Sequence, residues 1–253
     1  MEFFAGKVVL VVGASSGIGS LFAEGVSAQG AKVAVVARRA TKLQELAAQI
    51  CGLALPADVS DEAAAAKVVE DTVEVYGRID VVLLNVGGAS AIDLRTQTAA
   101  DVKECMRLNY DVAVNVMMPC LARMSEQRSG VVAVTSSLAG LLPIPEQGPY
   151  SAAKGALRLL VDTARLEYAD RGIAFVSLYP GFVATERVLS DDLDKSSMMS
   201  PERAVSEMMT AIAAGKHDHL FPKSTALQVR FGMLAPVRVR DAILRRRVAP
   251  DPG

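Results

Sequence analysis

The sequence has no tryptophan, only two histidines and only three cysteines in 253 residues. Cys51, Cys105 and Cys120 are odd in number and show no C-x-x-C spacing, which excludes a disulfide framework and a cysteine-based zinc site. They read as small core hydrophobes in a reduced, cytoplasmic compartment. No carboxylate or cysteine pattern makes a metal site of His217 and His219, which read as surface histidines. An excess of one charge is also missing. The 27 basic side chains meet 28 acidic ones, for a net charge of −1, so no global field points to nucleic acid. The amino-terminal residues lack a basic region followed by a long apolar stretch, so no signal peptide is expected. No apolar run reaches the roughly 18–20 residues that cross a bilayer. No Gly/Ser linker or break in composition divides the chain, so residues 1–253 are read as one domain. At 51% hydrophobic and 22% charged residues, a packed core is affordable and a disordered chain is excluded.

What is present is a regular alternation of short aliphatic runs with longer amphipathic stretches. Strands are expected at 7–12, 32–37, 53–55, 79–84, 131–135, 173–178 and 219–221. Helices are expected at 17–29, 41–50, 61–76, 101–127, 149–170 and 201–214. The strands are apolar throughout rather than alternating, as in parallel sheets buried on both faces. Strand and helix alternating in this way predict an α/β fold: a single-domain, doubly wound (Rossmann-type) parallel sheet with helices on both faces.

The first strand runs into Gly13-Ala14-Ser15-Ser16-Gly17-Ile18-Gly19. Gly13 permits a tight turn, Gly17 lets a backbone approach a pyrophosphate, and Gly19 lets the helix pack close to the strand. The following helix start presents free N–H groups to phosphate. Neither G-x-G-x-x-G nor the mononucleotide loop G-x-x-x-x-G-K-[ST] is present. The G-x-x-x-G-x-G spacing resembles the short-chain dehydrogenase/reductase family, and Gly13, Ser15, Ser16, Gly17, Ile18 and Gly19 are then its cofactor-binding residues. Strand two ends on Ala37-Arg38-Arg39, without the carboxylate that would accept from a ribose 2′-hydroxyl. An arginine there binds a 2′-phosphate instead, so the expected cofactor is NADP(H), with Arg38 as the main contact. Arg39 is either a second contact or a solvated helix-start residue. Where many NADP-preferring relatives carry a base, this chain has Ser16.

Tyr150 and Lys154 are spaced i, i+4 at the start of a helix, on one face. An isolated phenol titrates near 10 and is a poor base at neutral pH. A neighbouring ammonium favours the phenolate and makes the tyrosine a usable general acid/base. The lysine can also orient the nicotinamide ribose.

Further roles follow from the resemblance, which rests on five ordered motifs over about residues 5–215. It implies that Ser137, thirteen residues before Tyr150, polarises the substrate carbonyl. It implies that Asn109 holds a water beside the lysine. Asp58 and Val59 would face adenine, with Ser60 capping the next helix. Asn85 and Gly87 match the cofactor-facing positions of an Asn-Asn-Ala-Gly motif, and Pro180, Gly181, Val183 and Thr185 match the loop over the nicotinamide. The expected activity is hydride transfer between NADP(H) and a small-molecule carbonyl or alcohol.

Residues 186–200 are expected to form a substrate lid. Leu138, Leu141, Leu142, Ile144, Phe182, Val188 and Leu189 are the candidate lining, which hints at a hydrophobic substrate. Residues 222–253 form a basic tail of +5, leaving −6 on the remainder. Within it, residues 239–248 are expected to form a basic amphipathic helix, either a solvated or subunit-contacting terminus or a membrane-surface element. Relatives often form homo-dimers or homo-tetramers through the long helices. The alternatives are a membrane-associated lipid-ketone reductase and a non-catalytic nucleotide-binding scaffold; intact Ser137, Tyr150 and Lys154 weigh against the scaffold.

Overall fold

A computed structural model describes residues 3–88, 93–189 and 198–245, with Arg187 and Leu189 described by backbone alone. Seven parallel strands form one sheet in the order β3-β2-β1-β4-β5-β6-β7. They are β1 (Val8–Val12), β2 (Lys32–Ala37), β3 (Leu53–Pro56), β4 (Val81–Leu84), β5 (Gly130–Thr135), β6 (Ile173–Pro180) and β7 (Asp218–Phe221). The order reverses between β1 and β4, so the crevice beyond their carboxyl ends is where such a sheet binds ligands.

The continuous apolar strands have a direct physical cause. Side chains alternate faces along a strand. In β1, Val9 and Val11 enter one core while Leu10 and Val12 enter the other; β2 and β4 divide in the same way. One layer is completed by α1 (Gly17–Ala28), α2 (Ala40–Gln49) and α8 (Pro201–Ala213), through Phe22, Leu43 and Met208. The other is completed by α3 (Glu62–Tyr76), α5 (Val112–Gln127) and α6 (Gly148–Glu167), through Val68, Val116 and Leu157. Each such buried apolar side chain contributes about 1.5–3 kcal/mol relative to exposure.

Several boundaries differ from expectation for identifiable reasons. The region expected as one helix over 101–127 is three pieces: α4 (Ala99–Met106), a π turn at Arg107–Asp111, and α5. It begins early because Thr98 and Asp101 form a reciprocal capping box. The cap of α3 is Asp61, whose carboxylate accepts from Ala63 N–H, not Ser60. Ile79 and Asp80 lie before β4; the Asp80 carboxylate instead accepts from Val8 N–H at 2.9 Å. Cys105 and Cys120 are buried as expected, but Cys51 is exposed in a left-handed turn. His217 is exposed, whereas His219 is half-buried, 2.8 Å from the Glu207 carboxylate and stacked on Phe221.

The segment expected as a lid is described only at its ends, including the short α7 (Glu186–Leu189); residues 190–197 lie outside the described residues. The tail holds two helices, not one: α9 (Lys223–Leu234), which was not foreseen, and α10 (Val237–Arg245). Residues 246–248 of the expected tail helix also lie outside the described residues.

Candidate active site

A cleft of about 1720 Å³ opens at the carboxyl ends of the strands. Of the residues expected to bind cofactor or act in chemistry, all but Gly19 line it. Gly19 has the packing role: a Cβ there would strike the Gly13 carbonyl oxygen, so only glycine lets α1 start this close to β1.

The N-terminus of α1 faces the cleft in an open state. Ser16 is the N-cap residue, yet its side chain makes no capping bond, whereas Asp61, Thr98 and Ser200 each cap their own helices. The Ser16 hydroxyl is engaged elsewhere. Arg39 donates to it at 2.5 Å and to the Ser15 hydroxyl at 2.9 and 3.0 Å. Arg39 therefore lies across the glycine turn, while the exposed Arg38 lines the cleft beside it. Hydrogen bonds from Ser60 hold the Asp58 carboxyl below the usual carboxylate range, and the charge of Arg38 adds to the effect.

At the other end of the cleft, α6 carries Tyr150 half-buried and Lys154 only 3% exposed. The Lys154 ammonium donates to the Thr135 carbonyl at 3.0 Å and the Val86 carbonyl at 3.3 Å. Its Nζ is 5.8 Å from the centre of the Tyr150 ring. Burial pulls its pKa down to about 8. Ser137 closes a short turn (Leu138–Gly140) by accepting from Ala139 N–H at 3.1 Å, which fixes its hydroxyl at the end of β5. Its neighbour Ser136 is buried and donates to the Lys154 carbonyl at 3.4 Å, a structural contact.

Asn109 sits in the π turn and is buried. Its carbonyl oxygen accepts from Gly88 N–H at 2.8 Å; its amide nitrogen donates to the Cys105 carbonyl at 3.0 Å and the Gly88 carbonyl at 3.3 Å. The side chain thus clamps the turn that carries Asn85, Val86 and Gly87. The Pro180–Thr185 loop passes over the glycine turn, with the Thr185 methyl 3.3 Å from where a Cβ on Gly17 would sit. The chain returning from the lid is pinned to this loop: Met199 N–H donates to the Phe182 carbonyl and Ala184 N–H to the Met199 carbonyl.

Of the expected lining, Leu138, Leu142, Ile144, Phe182 and Val188 reach the cleft. Leu141 packs instead beside Tyr179 and Val229 in a small satellite core. The Leu189 side chain lies outside the described residues. Sequence reasoning missed the outer wall, which is built by Gln228, Phe231 and Gly232 of α9 and Arg240 and Leu244 of α10. It also missed Cys105, which lines the cleft from α4 and whose thiol burial pushes up. The signal for Cys105 was its place four residues before Asn109, one helical turn away. No group of three or more metal-ligating side chains occurs among the described residues.

Comparison with known proteins agrees with this geometry. The short chain dehydrogenase family pattern matches residues 7–195. A "dehydrogenase/reductase SDR family protein 7-like" of Anopheles gambiae is 31% identical over 97% of this chain and 80% of its own. An uncharacterised oxidoreductase of Thermotoga maritima is 30% identical over 83% of each chain. The crystal structure of a short-chain dehydrogenase from Streptomyces avermitilis superposes with a TM-score of 0.84, at 26% identity, over 96% of this chain and 98% of that one. The glycine turn, the Tyr150–Lys154 helix and the match over most of its length make this chain a member of the short-chain dehydrogenase/reductase family, oxidoreductases that use a nicotinamide cofactor on small-molecule substrates.

Proposed function

We propose that the chain transfers hydride between NADP(H) and a hydrophobic, mid-sized ketone or the corresponding secondary alcohol. The observation that carries the cofactor choice is the arginine pair at the glycine turn. Ala37 takes the place of the carboxylate that would repel a 2′-phosphate, Arg38 and Arg39 follow it, and Arg39 spans the Ser15 and Ser16 hydroxyls. The open N-terminus of α1 suits a pyrophosphate. In this reading Asp58 and Val59 border the adenine site. Asn85 and Gly87 border the cofactor's middle, and Pro180, Gly181, Val183 and Thr185 the nicotinamide.

A bound nicotinamide supplies or accepts the hydride. The chain's own residues handle the oxygen and the proton. In reduction the Tyr150 hydroxyl gives its proton to the carbonyl oxygen; in oxidation the phenolate takes the proton of the alcohol. Lys154, one helical turn away, favours that phenolate by its charge. The Ser137 hydroxyl donates a hydrogen bond to the developing oxyanion. Asn109 is a positioning residue: it holds Gly88, and so the turn whose Val86 carbonyl fixes the lysine. Leu138, Leu142, Ile144 and Phe182 favour an apolar substrate.

A homo-dimer or homo-tetramer is supported by Leu159 and Leu166, 64% and 72% exposed one heptad apart on α6, and by Met118, 50% exposed on α5.

The test is Tyr150→Phe against a carbonyl panel. Turnover is lost while NADPH still binds, as read by its fluorescence. Retained turnover overturns the mechanism.

A further inference from the structure

The apolar surface of this protein is concentrated at one place. Among the described residues, seven of thirteen exposed large hydrophobic side chains fall within 227–243: Leu227, Phe231, Met233, Leu234, Val237, Val239 and Ile243. On α9, Leu227, Phe231 and Leu234 are spaced i, i+4, i+7, which makes one stripe down one face. They are 57%, 67% and 84% exposed. On α10 no residue is fully buried, and Arg240, Asp241 and Leu244 are half-buried. Helix α9 is anchored to the body by its two buried residues, Ala226 and Val229, and by Gly232 lying against Leu142. Phe231 and Ile243 also border the cleft; the exposure of Leu227, Met233, Leu234, Val237 and Val239 is not explained by packing within the chain.

The charge at this place is also distinct. Arg230, Arg238 and Arg245 are exposed around the stripe, and no ion pair is found for them among the described residues. The segment from Pro222 onward carries +5, against −6 on the rest. Apolar side chains interleaved with arginines match an interface of acyl chains below and anionic headgroups above. Among the described residues no helix is long and apolar enough to cross a membrane, so the contact is interfacial. Self-association is proposed above to use the exposed Met118, Leu159 and Leu166 of α5 and α6 instead.

We infer that the consecutive helices α9 and α10 dock this protein on anionic lipid bilayers. The same two helices wall the cleft through Phe231, Gly232, Arg240 and Leu244, so docking sets the cleft mouth at the lipid surface. That last consequence, delivery of a membrane-soluble carbonyl substrate, rests on the reductase reading. The docking does not.

The full chain is sedimented with phosphatidylcholine vesicles, with and without phosphatidylserine. It pellets with the anionic vesicles and is released by raised salt. Each exposed arginine is worth about fivefold in binding an anionic surface. Arg230→Gln with Arg238→Gln and Arg245→Gln therefore weakens binding roughly a hundredfold, with an unchanged circular dichroism melting curve. Leu227→Ser with Leu234→Ser, both at exposed positions, weakens it as well. Because the chain has no tryptophan, Leu234→Trp makes a single-site reporter. Its emission shifts to the blue on anionic vesicles, while that of Val75→Trp, on α3, does not. Equal sedimentation with both vesicle types or with neither overturns the inference. So does a self-association abolished by Leu227→Ser with Leu234→Ser, which would assign the face to a second copy. None of these readouts depends on turnover, so a failed carbonyl panel leaves them standing.

Discussion

Lys154 is held almost fully buried, and burial brings its pKa to about 8 from an ordinary 10.5. In the cofactor-free chain this has a measurable consequence for stability. Below about pH 8 the folded state must keep a buried ammonium that the unfolded chain keeps in water. Between about 8 and 10.5 the unfolded chain binds the extra proton, so stability gains from this residue as pH rises through that window. At neutral pH the burden is on the order of 3 kcal/mol. Lys154→Met keeps the volume and removes the charge. It also leaves the Thr135 and Val86 carbonyls without their donor, at about 1 kcal/mol each. The net expectation is a variant about 1–2 kcal/mol more stable at pH 7, or roughly 3–6 °C in melting temperature for a chain of this size. Turnover in the same variant falls to background, a direct trade of stability for function. Thermal unfolding followed by circular dichroism at pH 7, 8, 9 and 10 reads the result. The gap between variant and parent narrows as pH rises and reverses by about pH 10. A variant less stable than the parent at pH 7, or a gap that ignores pH, refutes the claim that the fold holds its lysine against a burial cost.

Two further outcomes test the cleft. Arg38→Ala combined with Arg39→Ala should raise the KM for NADPH by about 10–100-fold for each charge-assisted bond lost, with little effect on the KM for NADH. Adding Ala37→Asp should move the preference to NADH; unchanged selectivity in a steady-state comparison would remove the arginine pair from the phosphate site. Gly19→Ala forces a methyl group into the Gly13 carbonyl, so it should cost about 3 kcal/mol or more by denaturant unfolding, and a neutral effect would mean that the turn is slack.

The parts of the structure visible in the sequence share one property: each is determined by side chains within a single local segment. Strands such as Val8–Val12 are apolar throughout because alternate residues feed separate layers, and that pattern survives in one dimension. The glycine turn and the Tyr150–Lys154 pair are also local. The parts that were hidden depend on the backbone of distant segments. Nothing in the residue type of Val86 or Thr135 marks it as a lysine acceptor; only the parallel pairing of β4 with β5 brings both carbonyls to α6. The side-chain partners of Asn109 were hidden in the same way: its amide meets Gly88 and Cys105, and it takes a π turn to aim it there. Helices α9 and α10 were hidden for the opposite reason. Pattern reading assigns apolar side chains to the interior, and here Leu227 and Leu234 are exposed to solvent, with Phe231 exposed at the cleft wall. Where a periodic apolar stripe fails to find a core, the failure locates a surface that something else must cover, and the arginines around this one say what charge that cover carries.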